Sequence, residues 1–97
     1  MILRRRFGDV VARQLDLFAM DDRLLLADVD QTKAAYDRAA RDDAEQAYGD
    51  YVEAVDAVKE ALAEARHHFA STLYGDATEE YEAAFERAAR RRWQWLA

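Results

Sequence analysis

Apolar and polar positions alternate along this chain with the period of a helix. The clearest run is Tyr48, Tyr51, Val55, Val58, Leu62, Ala65, Phe69 and Thr72. Its steps of three and four lay one stripe along a helix, and their mean is close to the spacing that keeps two helices in contact along a coiled-coil seam. An earlier run, Phe7, Val11, Gln14, Phe18, Leu25, Val29, Thr32, Tyr36 and Ala40, keeps helical phase across Met20-Asp21-Asp22. With no Gly or Pro between positions 9 and 48, it predicts one long helix over about residues 4–40, ~50 Å in length. Val10, Leu17 and Leu24 form a second seam beside it, so this half of the helix is expected to meet two neighbours.

The end of the first helix has two readings. Asp42 with Glu45 has the spacing of a capping box, and so does Asp50 with Glu53 behind Gly49. Gly49 projects away from the stripe that already includes Tyr48, which favours a turn at residues 40–43 and a second helix over about 43–74. Gly75 then reads as a left-handed cap closing that helix, and Asp76 with Glu79 as the capping box of a third, over about 77–96. The third stripe is Tyr81, Ala84, Phe85, Ala88, Arg92 and Trp95, with acids in its first turns and arginines in its last, as the helix dipole favours.

The expected fold is therefore all-α without strands. It is a single all-helical domain over residues 1–97: a long antiparallel hairpin with a shorter third helix folded back, resembling a three-helix bundle. The third helix covers the N-terminal half of the first. Val29, Tyr36, Tyr48, Tyr51 and Val52 are then left at the far end without a cover, an apolar strip that a second copy would bury in a homodimer.

Composition sharpens this picture. Pro is absent, Gly numbers 3, and there is no Cys, so disulfides, thiolate metal sites and a thiol nucleophile are excluded. No apolar run approaches the ~20 residues of a membrane span. Met1-Ile2-Leu3-Arg4-Arg5-Arg6 has charge without the apolar stretch of a secretory signal, and a cytoplasmic location is the expectation. The net charge of −6 is unevenly spread. Residues 15–86 carry nineteen acids against six bases, whereas four arginines stand within residues 1–14 and four from Arg87 onward.

Candidate chemistry is sparse. Glu64 and His67 have the E-x-x-H spacing by which helical carboxylate proteins present metal ligands, and His68 follows, but Ala65, Leu62 and Phe69 mark the opposite face as the inward one. Ser71, the single Ser, has no base and acid at a suggestive spacing. Lys33 and Arg23 are the cations of the first helix nearest to its stripe. The Arg-rich ends with Trp93 and Trp95 could meet phosphates or a membrane surface, although the acidic body opposes nucleic acid. Pairing of Arg87 to Arg92 with Asp16, Asp21, Asp22 and Asp28 uses the same charges internally. Trp93 points about 100° away from the stripe and is the better candidate for a partner contact.

These observations predict a non-catalytic interaction or scaffold protein without a cofactor, self-associating through the hairpin and able to meet a further protein partner. A metal- or small-ligand-binding bundle is one alternative. An accessory protein that contacts nucleic acid or a membrane surface through its Arg/Trp-rich ends is the other.

Overall fold

The computed structural model describes residues 6–96, and among these every regular element is helical. Four α-helices follow in order: α1 Gly8–Asp21, α2 Arg23–Arg38, α3 Ala44–Ala70 and α4 Asp76–Arg92. Short 3₁₀ turns occupy Arg41–Asp43 and Gln94–Leu96. Where the sequence predicts three helices there are four, because the expected first helix is divided at Asp22. The expected start at Arg4 lies outside the described residues.

Asp22 has φ −111° and ψ 30°, off the helical values, and the hydrogen-bond ladder lapses there: no backbone bond from Arg23, Leu24 or Leu25 reaches back into α1. The Asp22 amide donates to the Phe18 carbonyl at 2.8 Å, and the Asp22 carbonyl accepts from the Leu26 amide at 3.2 Å. Two adjacent aspartates repel and have side chains that compete for backbone donors, so this is a weak point for a helix. The apolar phase survives it: Val11, Leu15 and Phe18 are buried before the break and Val29 after it. The break changes the neighbour of the chain without turning its apolar face to water.

Before the break, α1 follows α4. Arg6 pairs with Glu80, Phe7 meets Tyr81, Asp16 pairs with Arg92 and Phe18 meets Trp93, so the two helices run in the same direction. After it, α2 lies antiparallel to α3, with Leu25 beside Ala61 at one end and Tyr36 against Tyr48 at the other. Helix α4 returns antiparallel to α3, as Phe69–Tyr81 and Arg66–Glu86 require. One end of the molecule is thus built from α1, α3 and α4, and the other from α2 and α3 alone.

The stripe of α3 is buried where these layers overlap, at Val55, Val58 and Leu62. Its ends differ: Tyr48 is half-exposed and Thr72 lies outside the helix. Helix α3 stops at Ala70, not at residue 74. The Ser71 hydroxyl donates to the His68 carbonyl at 2.9 Å and that of Thr72 to the Phe69 carbonyl at 2.7 Å, satisfying carbonyls at the end of the helix. Gly75 does take a positive φ of 55°, but with ψ −134° it opens α4 and does not close α3. Neither expected capping box forms, since no side-chain cap bond is present at the start of α3 or α4. Asp42 is drawn into the 3₁₀ turn instead, and Asp76 becomes the first residue of α4, where its charge still faces the positive end of the dipole. Chain reversal between α2 and α3 occupies residues 39–43, with Ala39 and Ala40 extended.

Tyr81 joins the three helices of the thick end. It is fully buried, with its ring centroid 5.6 Å from Phe7, 4.7 Å from Phe69 and 6.0 Å from Phe85. Its hydroxyl donates to Gln14 Oε1 at 2.6 Å, so the one polar atom on this ring is satisfied by α1. Burial raises the Tyr81 pKa above its ordinary value, and the bond to Gln14 and the charge of Arg66 offset part of that rise.

Two tests follow from this packing. A raised tyrosine pKa stabilises the fold below about pH 10 and is lost as pH rises, because the unfolded chain ionises first. Urea midpoints of the wild type should therefore fall more steeply between pH 9 and 11 than those of Tyr81→Phe, whereas parallel slopes would place no linkage at this residue. The glycines give opposite signs. Gly49 is within α3 with nothing within 4 Å of an added Cβ, so Gly49→Ala should stabilise by about 0.5–1 kcal/mol. Gly75→Ala forces a side chain into positive φ and should destabilise by about 1–2 kcal/mol in the same urea titration.

Candidate functional site

The residues expected at an interface are not all available to one. Val29 is 1% exposed and closes the core between α2 and α3, because its position in α2 continues the buried phase of α1. Trp93 is drawn inward by a local change of backbone. Helix α4 ends at Arg92, Trp93 adopts φ −126° and ψ 94°, and its ring meets Phe18 edge-on at 5.8 Å. The third helix therefore stops short of the expected residue 96, and Trp95 and Leu96 pack against the core from the following 3₁₀ turn. The tyrosines remain at the open end. Tyr36 and Tyr48 meet with ring planes tilted by 56° and centroids 5.3 Å apart, Tyr51 is half-buried, and Val52 is exposed.

The strip beside the first run has a different fate from the one its breadth suggests. Val10 packs against the core, but Leu17, Met20 and Leu24 are 51%, 65% and 77% exposed. They follow each other at steps of three and four on the outer side of α1 and α2, facing away from α4. Helix α4 takes the Val11–Phe18 side of α1 and leaves this row in water.

Charges at the C-terminal end are used within the chain. The Arg92 guanidinium donates to Asp16 Oδ1 at 2.7 Å and lies 5.1 Å from the Trp93 ring centroid. Asp16, among the acids expected to receive these arginines, is the one that holds Arg92. Arg6 donates to Glu80 at 2.8 Å, while Arg4 and Arg5 lie outside the described residues. Lys33 is exposed and bonded to Asp37 at 2.9 Å, which raises its pKa. Arg23 donates to the Met20 carbonyl at 3.4 Å. Lys33 and Arg23 are therefore both exposed and bonded locally, not directed into an interior site.

Glu64, His67 and His68 are exposed on α3. Glu64 borders a groove with Glu60, Leu25, Ala57 and Ala61, and neither histidine lines it. Among the described residues no three His, Asp or Glu side chains converge as metal ligands would. The Ser71 hydroxyl is spent on the His68 carbonyl, a helix-end role. No described helix is long and apolar enough to cross a membrane.

A cleft of about 270 Å³ between α3 and α4 gathers residues that no single stripe announces. Lys59, Leu62, Ala63 and Arg66 come from α3; Phe85, Glu86, Ala89 and Arg90 from α4; Leu96 closes one end. Glu86 is shared by two cations, bonded to Arg66 through one oxygen and 3.8 Å from Arg90 through the other. Arg66 Nε is buried without a hydrogen-bond partner. The sequence signal, in retrospect, is Lys59 and Arg66 seven residues apart around Leu62-Ala63, with alanines at 63 and 89 too small to fill the space between the helices.

The Arg92–Asp16 pair offers a measurement of what the Arg-rich end does. Both side chains are well exposed, at 39% and 71%, so a double-mutant cycle with Arg92→Gln and Asp16→Asn should give a coupling of only about 0.2–1 kcal/mol. That coupling should shrink in 1 M salt, where the Debye length is about 3 Å; a large, salt-resistant value would make the pair a buried strut instead. Compared with known proteins, the chain matches no family model, no curated protein and no solved structure.

Proposed function

We propose that the protein is a non-catalytic helical interaction module that self-associates through the open end of the α2–α3 hairpin. The observation that carries this reading is the unequal thickness of the molecule. Around Tyr81 three helices share the core. Beyond Val29, α2 and α3 have only each other, and Tyr48, Tyr36 and Val52 keep 51%, 38% and 37% of their surface exposed. Two chains related by a twofold axis would lay hairpin on hairpin and build a four-helix segment there.

The shape supports a second copy as the occupant. The radius of gyration is 15.9 Å and the extents are 51 × 25 × 22 Å, against a radius of about 12.5 Å for a compact chain of this length. The accessible surface is 7083 Å², where a compact monomer of 11.2 kDa exposes about 5,700 Å². The surplus exceeds the roughly 800 Å² that one partner contributes to a standard interface. The Leu17–Met20–Leu24 row favours a second reading, in which the copies meet along α1 and α2.

Light scattering at about 100 μM, where even a micromolar dimer is assembled, should give twice the chain mass. Tyr48→Asp with Val52→Asp should yield a monomer with unchanged helicity. A wild-type monomer at that concentration refutes self-association. If Leu17→Asp with Leu24→Asp abolishes the dimer and the hairpin variant does not, the interface belongs to α1 and α2.

A further inference from the structure

We infer that the cleft between α3 and α4 binds a small organic carboxylate with an apolar body. This goes beyond self-association and uses a different part of the molecule. Three cations border the cleft, Lys59 and Arg66 from α3 and Arg90 from α4, against the single carboxylate of Glu86. In a chain of net charge −6 this is a local reversal of sign. Solvated cations alone would be ordinary surface chemistry, but these stand over an apolar floor of Leu62, Phe85 and Leu96.

Arg66 supplies the second argument. A guanidinium is a planar fork of five N–H donors whose geometry fits a carboxylate, and Glu86 already uses part of that fork. Its Nε–H is buried and finds no acceptor within the protein. That atom is too deeply buried for a ligand to reach, so what Arg66 offers an entering carboxylate is its charge and the terminal N–H donors that Glu86 leaves over.

The floor and the volume choose the class of anion. Inorganic phosphate would satisfy the cations and gain nothing from the apolar lining of the cleft. A nucleic acid would bring its backbone against an acidic body. At 270 Å³ the cleft lies just under the usual range of ligand pockets, about 300–1,000 Å³, which suits a body the size of one aromatic ring or a short alkyl chain.

The test is a titration of the full chain with 3-phenylpropanoate at low salt, followed by backbone amide shifts, with 3-phenylpropanol and inorganic phosphate in parallel. The carboxylate should saturate, with shifts concentrated at residues 59–66, 85–90 and 96, and bind on the order of tenfold more tightly than the alcohol. Lys59→Gln and Arg90→Gln should each weaken it several-fold with the thermal melt unchanged; Arg66 is left intact because its bond to Glu86 helps hold α3 to α4. Equal binding of the alcohol, equal binding of phosphate, shifts confined to Leu17 and Leu24, unchanged affinity in both variants, or no saturation by about 10 mM would each overturn the inference.

Discussion

The Tyr81 ring is the contact on which the arrangement of the other helices depends. A chain of this size can bury one modest core, and here the largest fully buried side chain belongs to the helix that arrives last. Phe69 and Phe85 would pack from α3 and α4 around any ring at this position. What distinguishes Tyr81 is its hydroxyl, which needs a partner once it is buried and finds one in Gln14 of α1. That bond fixes α1 lengthwise against α4, and the Phe7 edge contact fixes it at one end. A phenylalanine would fill the same space without specifying the register.

This fixed register explains why the first helical run breaks. Helix α1 is held to α4 through Tyr81, Asp16–Arg92 and Phe18–Trp93, while α2 is held to α3 through Val29 and the Tyr36–Tyr48 pair. A helix bound to different partners in its two halves concentrates its distortion where it resists least. Between Phe18 and Leu25 the sequence offers Asp21-Asp22, of low helix propensity and like charge. Asp22 keeps helical partners in Phe18 and Leu26, while the amides of Arg23, Leu24 and Leu25 lose theirs across the break. A row of exposed side chains, Leu17, Met20 and Leu24, is carried on the outside of this bend.

The legible parts of the fold are those that one helix decides by itself. The positions Val55, Val58 and Leu62 recur at helical spacing and are buried, and the reversal before Ala44 follows from the phase of the α3 stripe. Where two helices must agree, one-dimensional spacing is not enough. Val29 reads equally well as core or as interface until the position of α3 is known. Trp93 leaves its helical direction because Phe18 offers an aromatic edge, a fact about α1 that no reading of α4 alone contains. Gly75 is legible as a residue with positive φ. Its role is not, because the hydroxyls of Ser71 and Thr72 have already closed α3 four residues earlier.

The α3–α4 cleft is the extreme case of the same limitation. Lys59, Arg66, Glu86 and Arg90 are each unremarkable in sequence, charged residues on amphipathic helices, where a solvated face is the ordinary outcome. Antiparallel packing in this one register sets Ala63 and Ala89 toward a common space and brings the charges to its rim. Glu86 has a specific part there. Three cations around an apolar floor would repel one another and favour opening of the helix pair; one carboxylate between Arg66 and Arg90 relieves most of that repulsion. It cannot relieve all of it, since one negative charge faces three positive ones. The residual positive field is confined to the cleft by four nearby acids of α3, Glu53, Asp56, Glu60 and Glu64, which are exposed and oppose any wider basic surface. A local field of this kind draws a small anion into the cleft and repels an extended polyanion from the molecule, so the same distribution of charge sets both the sign and the size of what can enter.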